Sequence, residues 1–281
     1  MVKKKSSSGE KFTDIVNIGI GGSELGPKLV TSALSAYHNG PKIHFVSNID
    51  STEIMKIIKN LNPNKTLFII SSKSFTTNET IYNAKSAIKW VCSNLGSGGI
   101  QNFVAVCASK DKAVELGILD ENIFEFENWV GGRFSVWGPI GLPIMLAIGD
   151  IQFREFLEGA SQLDYHFKNE EVYKNLPITL ALIGFWHSTI CNYPSRAILP
   201  YDSELEYLPT YLQQLDMESN GKSVNLKGEK IKYSTSPVIW GQIGTNSQHA
   251  FFQFLHQSNQ IIPCEFLLGA NCTDEIYYEN H

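Results

Sequence analysis

The chain is short of the residues that mark most metal, disulfide and nucleotide proteins. Five cysteines (Cys92, Cys107, Cys191, Cys264 and Cys272) form no CxxC pair and no zinc-type spacing. That excludes a zinc module and a disulfide-stapled scaffold. Cys107 and Cys264 stand in apolar runs that read as buried strands, and the thiols point to a reducing, cytoplasmic setting. Positive charge is also scarce: 23 Lys and Arg against 28 Asp and Glu leave a net charge of -5. A chain without a basic surface is not a nucleic-acid binder. Long hydrophobic runs are missing too. The most apolar window, residues 178–186, is far too short to span a bilayer, so a soluble protein with no membrane partner is expected. Residues 1–11 are polar, lack the apolar segment of a signal peptide and read as a disordered leader. No GxxxxGK[ST] element occurs, which argues against a nucleoside triphosphate.

What is present is an α/β pattern. Short apolar runs at 14–20, 42–47, 66–71, 102–108 and 123–126 read as strands. Between them, 22–37, 52–61, 78–95 and a short stretch near Lys112 carry apolar residues at helical spacing. This alternation predicts a parallel sheet covered on both faces. Ligands of such sheets bind beyond the carboxyl ends of the strands. A long apolar helix is expected to run to Ile148 after the glycines at 131 and 132. Two more helices are expected at 153–167 and 176–191.

Two strand-to-helix loops carry chemistry. The first, Gly19-Ile20-Gly21-Gly22-Ser23-Glu24, is an imperfect dinucleotide fingerprint because Glu24 stands where the third glycine belongs. Its glycines make a tight turn, or let backbone N–H groups and the Ser23 hydroxyl approach a sugar or phosphate. The second, Ser71-Ser72-Lys73-Ser74-Phe75-Thr76-Thr77-Asn78-Glu79-Thr80, crowds hydroxyls and a lysine before a helix. Thr76 and Glu79 fit a capping box, which needs only one hydroxyl. The surplus favours a cradle for a small phosphate ester at a helix N-terminus. Arg133, behind two glycines at the start of a buried stretch, needs an anion, supplied by a salt bridge or by a ligand.

The strand–helix alternation restarts at 196–200, continues at 237–240 and 247–256, and ends with a strand at 261–268. Within it, a leucine- and tyrosine-rich helix over 205–215 leads into Gln213-Gln214-Leu215-Asp216-Met217-Glu218-Ser219-Asn220-Gly221-Lys222. If the helix continues, Gln214 and Glu218 share one face, one turn apart. Glu218 is then either a solvated helix end or a base.

Taken together, the stretches VNIGIGGSELGP, FVSNID, SKSFTTNET, WVGGRFSVWGPIGL, LPYD, QQLDMESNGK and IWGQIGTNSQHAF resemble the glucose-6-phosphate isomerase (phosphoglucose isomerase) family from about Asp14 to Leu268. The resemblance implies two sugar-isomerase (SIS)-type domains, each a parallel sheet flanked by helices, the second truncated. The limits would be a leader at 1–11, a first domain at 12–150, connecting helices at 151–192 and a partial second domain at 193–281. It implies a cytoplasmic homodimer of glycolysis and gluconeogenesis that interconverts glucose 6-phosphate and fructose 6-phosphate through a cis-enediol, with no metal or nucleotide cofactor. By position, Ser72, Lys73, Ser74, Thr77 and Thr80 would hold the phosphate, with Gly22 and Ser23 on the sugar. Ser74 replaces the threonine common in the family and keeps the hydroxyl. Arg133 would face the enediolate, Gln214 would flank the base and Glu218 would be the base. His249 would open the sugar ring, reaching the site of a partner subunit. The family is longer at both ends, and its later segment carries a ring-opening lysine and a glutamine near the phosphate. The resemblance therefore implies an incomplete chain with impaired activity. A non-catalytic sugar-phosphate-binding module is the alternative, and a nicotinamide-dependent oxidoreductase rests only on the imperfect glycine loop.

Overall fold

The structure is a computed structural model that describes residues 9–270. Most of the expected leader, the tail beyond 270 and Cys272 lie outside the described residues. The chain divides into two compact units, residues 1–154 and 155–281.

The first unit holds strands β1 (Asp14–Ile18), β2 (Lys42–Val46), β3 (Thr66–Ser71), β4 (Phe103–Cys107) and β5 (Ile123–Glu125). Its helices are α1 (Leu25–Ala33), α2 (Ser51–Ile58), α3 (Asn78–Leu95), α4 (Lys110–Glu115) and α5 (Leu142–Ile148). All pairings are parallel, in the order β2-β1-β3-β4-β5. Successive strand residues point to opposite faces, and the core splits accordingly. Val16, Ile18, Phe68, Ile70, Phe103 and Cys107 pack one face beside α2 and α3 residues such as Ile54 and Ala84. Ile15, Leu67, Ile69, Val104 and Val106 pack the other beside Ile140 and Leu142. Helices on both faces follow from right-handed crossovers leaving β1 in opposite directions. The connection reverses between β1 and β3, so the crevice beyond their carboxyl ends is where such a sheet receives a ligand.

The long helix expected up to Ile148 is broken. Two 3-10 turns, Gly132–Trp137 and Pro139–Gly141, precede α5, with Gly138 extended between them at φ -112 and ψ -152. Pro139 lacks the N–H that a continuous helix would use, and it pushes the residue before it out of helical conformation.

The second unit contains most of α6 (Asp150–Asn169), then α7 (Leu176–Phe185), α8 (Leu208–Leu212) and α9 (Gly244–Gln257). Its strands are β6 (Ser195–Tyr201), β7 (Val238–Gly241) and β8 (Cys264–Leu268), all parallel, in the order β7-β6-β8. Asn175, fully buried, fixes the corner between α6 and α7. Its amide donates to the Phe167 carbonyl at 2.9 Å, and its oxygen accepts from Ile178 N at 3.2 Å. The α7 backbone ends in a π-turn at Trp186–Ile190. Helix α9 begins at Gly244, three residues before the start expected at 247.

Candidate functional site

In the first unit the two chemistry-bearing loops lie at the β1/β3 crevice, wired together by one residue the sequence pattern did not single out. Asn17 sits on β1 at a position that should be apolar, fully buried. Its oxygen accepts from the Ser71 hydroxyl at 2.8 Å, and its amide donates to the Ser23 carbonyl at 3.0 Å. One buried side chain thus ties the end of β3 to the glycine loop. A buried amide in a strand of aliphatic residues was the only signal available for it.

The glycine loop makes a single 3-10 turn, Gly21–Ser23, with Gly21 at φ 59. Gly22 is held there by contact. A methyl on it would sit 2.1 Å from the Gly132 carbonyl oxygen and 2.6 Å from Arg133 N. The backbone bearing Arg133 is therefore pressed against the loop, and the arginine lies 5.1 Å from the Phe134 ring centre. Glu24, at the third-glycine position of the dinucleotide fingerprint, is buried and ion-paired to Lys28 at 3.2 Å.

The hydroxyl-rich loop does not form the capping box. Thr77, not Thr76, occupies the N-cap of α3, and its side chain makes no cap bond. Thr76 instead shares a 2.7 Å hydrogen bond with Ser74. The first N–H groups of this 18-residue helix thus receive no side-chain cap from Thr77. Thr80, in that first turn, is 2% exposed, and its hydroxyl has no hydrogen-bond partner among the described residues. A buried hydroxyl without a partner is uncommon enough to call for one. Phe75 takes φ 53, a left-handed conformation costly for a bulky residue, while its ring is buried in the core. The Ser72 hydroxyl accepts from Phe75 N at 3.2 Å, and Lys112 on α4 reaches the Ser74 carbonyl at 3.3 Å. Lys112 joins Lys73 in giving the loop positive charge. The arrangement suits an oxyanion ester, with free helix N–H groups, hydroxyls and ammonium groups on one loop. Nearby, burial pushes the Cys107 thiol up, in keeping with a core role.

In the second unit the helix leading to Glu218 departs from the sequence expectation. After α8 the backbone relaxes into a π-turn, Gln213–Glu218, with hydrogen bonds spanning five residues instead of four. The extra residue per turn changes which side chains face the sheet. Asp216 accepts from Arg196 of β6 at 2.9 Å and from Asn220 at 2.8 Å. Gln213 donates to the Ile239 carbonyl of β7 at 3.1 Å, and Ile239 N lies 3.4 Å from the Met217 sulfur. These contacts anchor the turn to the strands. Gln214 is half-buried, Glu218 is exposed, and the Glu218 carbonyl accepts from Lys222. Burial pushes the Tyr211 phenol on α8 up. His249, in the second turn of α9, is also exposed. The helix start is set by Gly244, where a methyl would strike the Tyr201 ring at 2.5 Å, and Gln248 donates to the Tyr201 hydroxyl at 2.6 Å. A cavity of about 520 Å³ behind the π-turn is lined by Arg196, Asp216, Asn220 and Lys222, and takes in none of Gln214, Glu218 and His249.

Among the described residues no cluster of His, Cys, Asp and Glu could hold a metal ion, and no helix is long and apolar enough to cross a membrane.

The phosphoglucose isomerase family matches residues 3–281. The glucose-6-phosphate isomerase of Bartonella bacilliformis is 60% identical over 265 residues, which are 94% of this chain and 48% of that protein. The Ruegeria sp. protein of the same name is 54% identical over 266 residues, 95% of this chain and 50% of that one. The chain thus spans about half the length of the curated relatives it matches. Among solved structures, a glucose-6-phosphate isomerase from Chlamydia trachomatis superposes with a TM-score of 0.84 at 38% identity, over 91% of this chain and 49% of that one. A putative phosphosugar isomerase from Bacillus subtilis, at 11% identity and a TM-score of 0.54, covers 91% of this chain and 69% of that one, and shares the fold.

Proposed function

The chain belongs to the phosphoglucose isomerase family, and on that premise we propose that it carries the phosphate-holding and proton-transferring residues of a glucose-6-phosphate/fructose-6-phosphate isomerase. The observation that carries this reading is the start of α3, where Thr77 makes no side-chain cap and the buried Thr80 hydroxyl has no partner among the described residues. Ser74, Thr77, Thr80 and Lys73 hold the phosphate with the first N–H groups of α3, and Ser72 shapes their loop. Gly22 and Ser23 lie along the sugar.

The reaction oxidises C2 and reduces C1 of the aldose within one molecule, so it needs no external oxidant. Glu218 takes the C2 proton and the electrons pass onto O1 in a cis-enediolate; the O2 hydroxyl proton then moves to O1 as C2=O forms, and the same carboxylate returns its proton to C1. Arg133 stabilises the enediolate oxygen, and Gln214 orients the carboxylate. His249 assists ring opening, and its exposure on α9 suits a side chain presented to a second subunit of a cytoplasmic homodimer.

The test is Glu218→Gln in a protein of the relatives' full length carrying this chain. Exchange of the C1 and C2 protons should fall by roughly 10²–10⁴-fold while sugar-phosphate binding persists. Wild-type exchange in that variant would remove Glu218 from its role. A second reading is favoured by one observation: every residue assigned to the phosphate lies within residues 72–80 of the first unit. This chain alone would then bind sugar phosphate without turning it over. Calorimetry with glucose 6-phosphate, run beside a coupled isomerase assay on the chain as it stands, separates the two readings.

A further inference from the structure

Asn17 stands where the sheet calls for an aliphatic residue. It shares its face of β1 with Ile15 and sits level with Ile69 of β3, and that face packs on Ile140 and Leu142. An aliphatic side chain would fill the same place with no polar group to satisfy. The fully buried amide is nevertheless bonded at both ends, to the Ser71 hydroxyl and to the Ser23 carbonyl. A carbonyl can only accept, so the amide nitrogen must face Ser23 and the amide oxygen must face Ser71. The Ser71 proton is then committed to Asn17, and the orientation of the whole cluster is fixed.

Packing ties the same two loops together independently. A Cβ at Gly19 would lie 2.9 Å from the Ser71 carbonyl oxygen and 2.9 Å from the Ser23 Cβ. Glycine is what allows the loops to approach this closely. Ser71 ends β3 and opens the hydroxyl-rich loop, and Ser23 ends the glycine turn. The cluster therefore lies between the groups assigned to the phosphate and the hydroxyl assigned to the sugar. Thr77 and Thr80 belong to the start of α3, and neither hydrogen bond of the Asn17 amide goes to them.

We infer that Asn17 is a positioning residue, which holds the Ser23 end of the site at a set span from the start of α3. The inference rests on the proposed function, in which the α3 loop takes the phosphate and the glycine loop lies along the sugar. Asn17 itself touches neither. A fixed span favours one molecule that carries both a phosphate and hydroxyls over a phosphate alone. The second loop is already in place when the first is filled, so ordering it costs nothing at binding. Without the amide, the ligand has to order the glycine loop itself, and that cost falls on the sugar end of the site and not on the phosphate end.

The test is calorimetry with inorganic phosphate and with glucose 6-phosphate, on this chain and on Asn17→Leu. Leucine is close to the amide in size and neither donates nor accepts a hydrogen bond. The variant should bind inorganic phosphate within about twofold of the parent and glucose 6-phosphate roughly tenfold more weakly. Amide chemical shifts should move at Gly21–Ser23 and stay in place at 78–80. Equal weakening toward both ligands would reduce Asn17 to a residue that merely holds the fold. Undiminished affinity for glucose 6-phosphate would mean that the glycine loop is set without it. Either result overturns the inference and leaves the phosphate site standing. A parent chain that binds neither ligand counts against the proposed function itself and takes this inference with it. If Asn17→Leu does not fold, Ser71→Ala, which removes a single oxygen and frees the amide to turn, carries the same comparison. It should lose about three- to tenfold toward glucose 6-phosphate alone, and a loss shared by both ligands, or no loss, overturns the inference there too.

Discussion

On the proposed function, Thr80 is the residue at which folding and binding pull in opposite directions. A buried hydroxyl without a partner costs stability, on the order of 1–3 kcal/mol. Thr80→Val keeps the shape and removes that cost. It should raise the free energy of unfolding by about 1 kcal/mol in denaturant titration and weaken glucose 6-phosphate binding roughly tenfold in calorimetry, about 1.4 kcal/mol. Loss of stability would mean that the hydroxyl has a partner in the folded chain. Gly22 makes the converse case: nothing but hydrogen fits against Gly132 and Arg133. Gly22→Ala should destabilise by about 1–3 kcal/mol and disturb the glycine loop more than the sheet, as amide chemical shifts would report. Cys107 is fully buried and its thiol is pushed up by desolvation, so less thiolate forms at any given pH. Alkylation near pH 8 should therefore modify the part-exposed Cys191 while Cys107 waits for unfolding, which mass spectrometry of timed digests can read.

Elements differ in how openly the chain declares them. Strand β3 and helix α3 have the bounds their apolar patterns gave, because six buried residues in a row and a glycine at 96 with φ 71 leave little choice. The break before α5 was legible in Pro139 and was hidden by the apolar run around it. The π-turn was not legible. Gln-Gln-Leu-Asp-Met-Glu continues a helical pattern, and the inserted residue appears only once Asp216 meets Arg196 on β6, twenty residues earlier. The capping box failed for a related reason, since Ser74 competes for the Thr76 hydroxyl. The residue types of the candidate site could be read from sequence, but Asn17 and Asp216, which position them, could not, because their partners are distant in the chain. The Arg196–Asp216 pair carries a prediction at this scale. Asp216→Asn should cost about 1.5–3 kcal/mol and restore ordinary helical spacing at 213–218, visible as a shift in the Gln214 and Glu218 resonances. An unchanged π-turn in that variant would mean that Gln213 and Met217 suffice to hold it.

The whole molecule is uneven in how its parts are held. Residues 12–153 contain the apolar clusters, whereas residues 155–270 expose much of theirs. Native-state hydrogen exchange should therefore protect amides of β3 and β4 far more than those of β6, β7 and β8. Equal protection would refute that ranking. Phe75 adds a matter of sequence in time. Its backbone can be held at φ 53 only after its ring has joined the buried core cluster of the first unit. Until then that segment of a newly made chain favours an extended path, and the hydroxyls on either side of it point nowhere in common. The hydroxyl-rich loop is thus a late arrival, assembled by the finished core and not a seed for it. Phe75→Leu should accordingly hasten unfolding and leave the refolding rate almost unchanged.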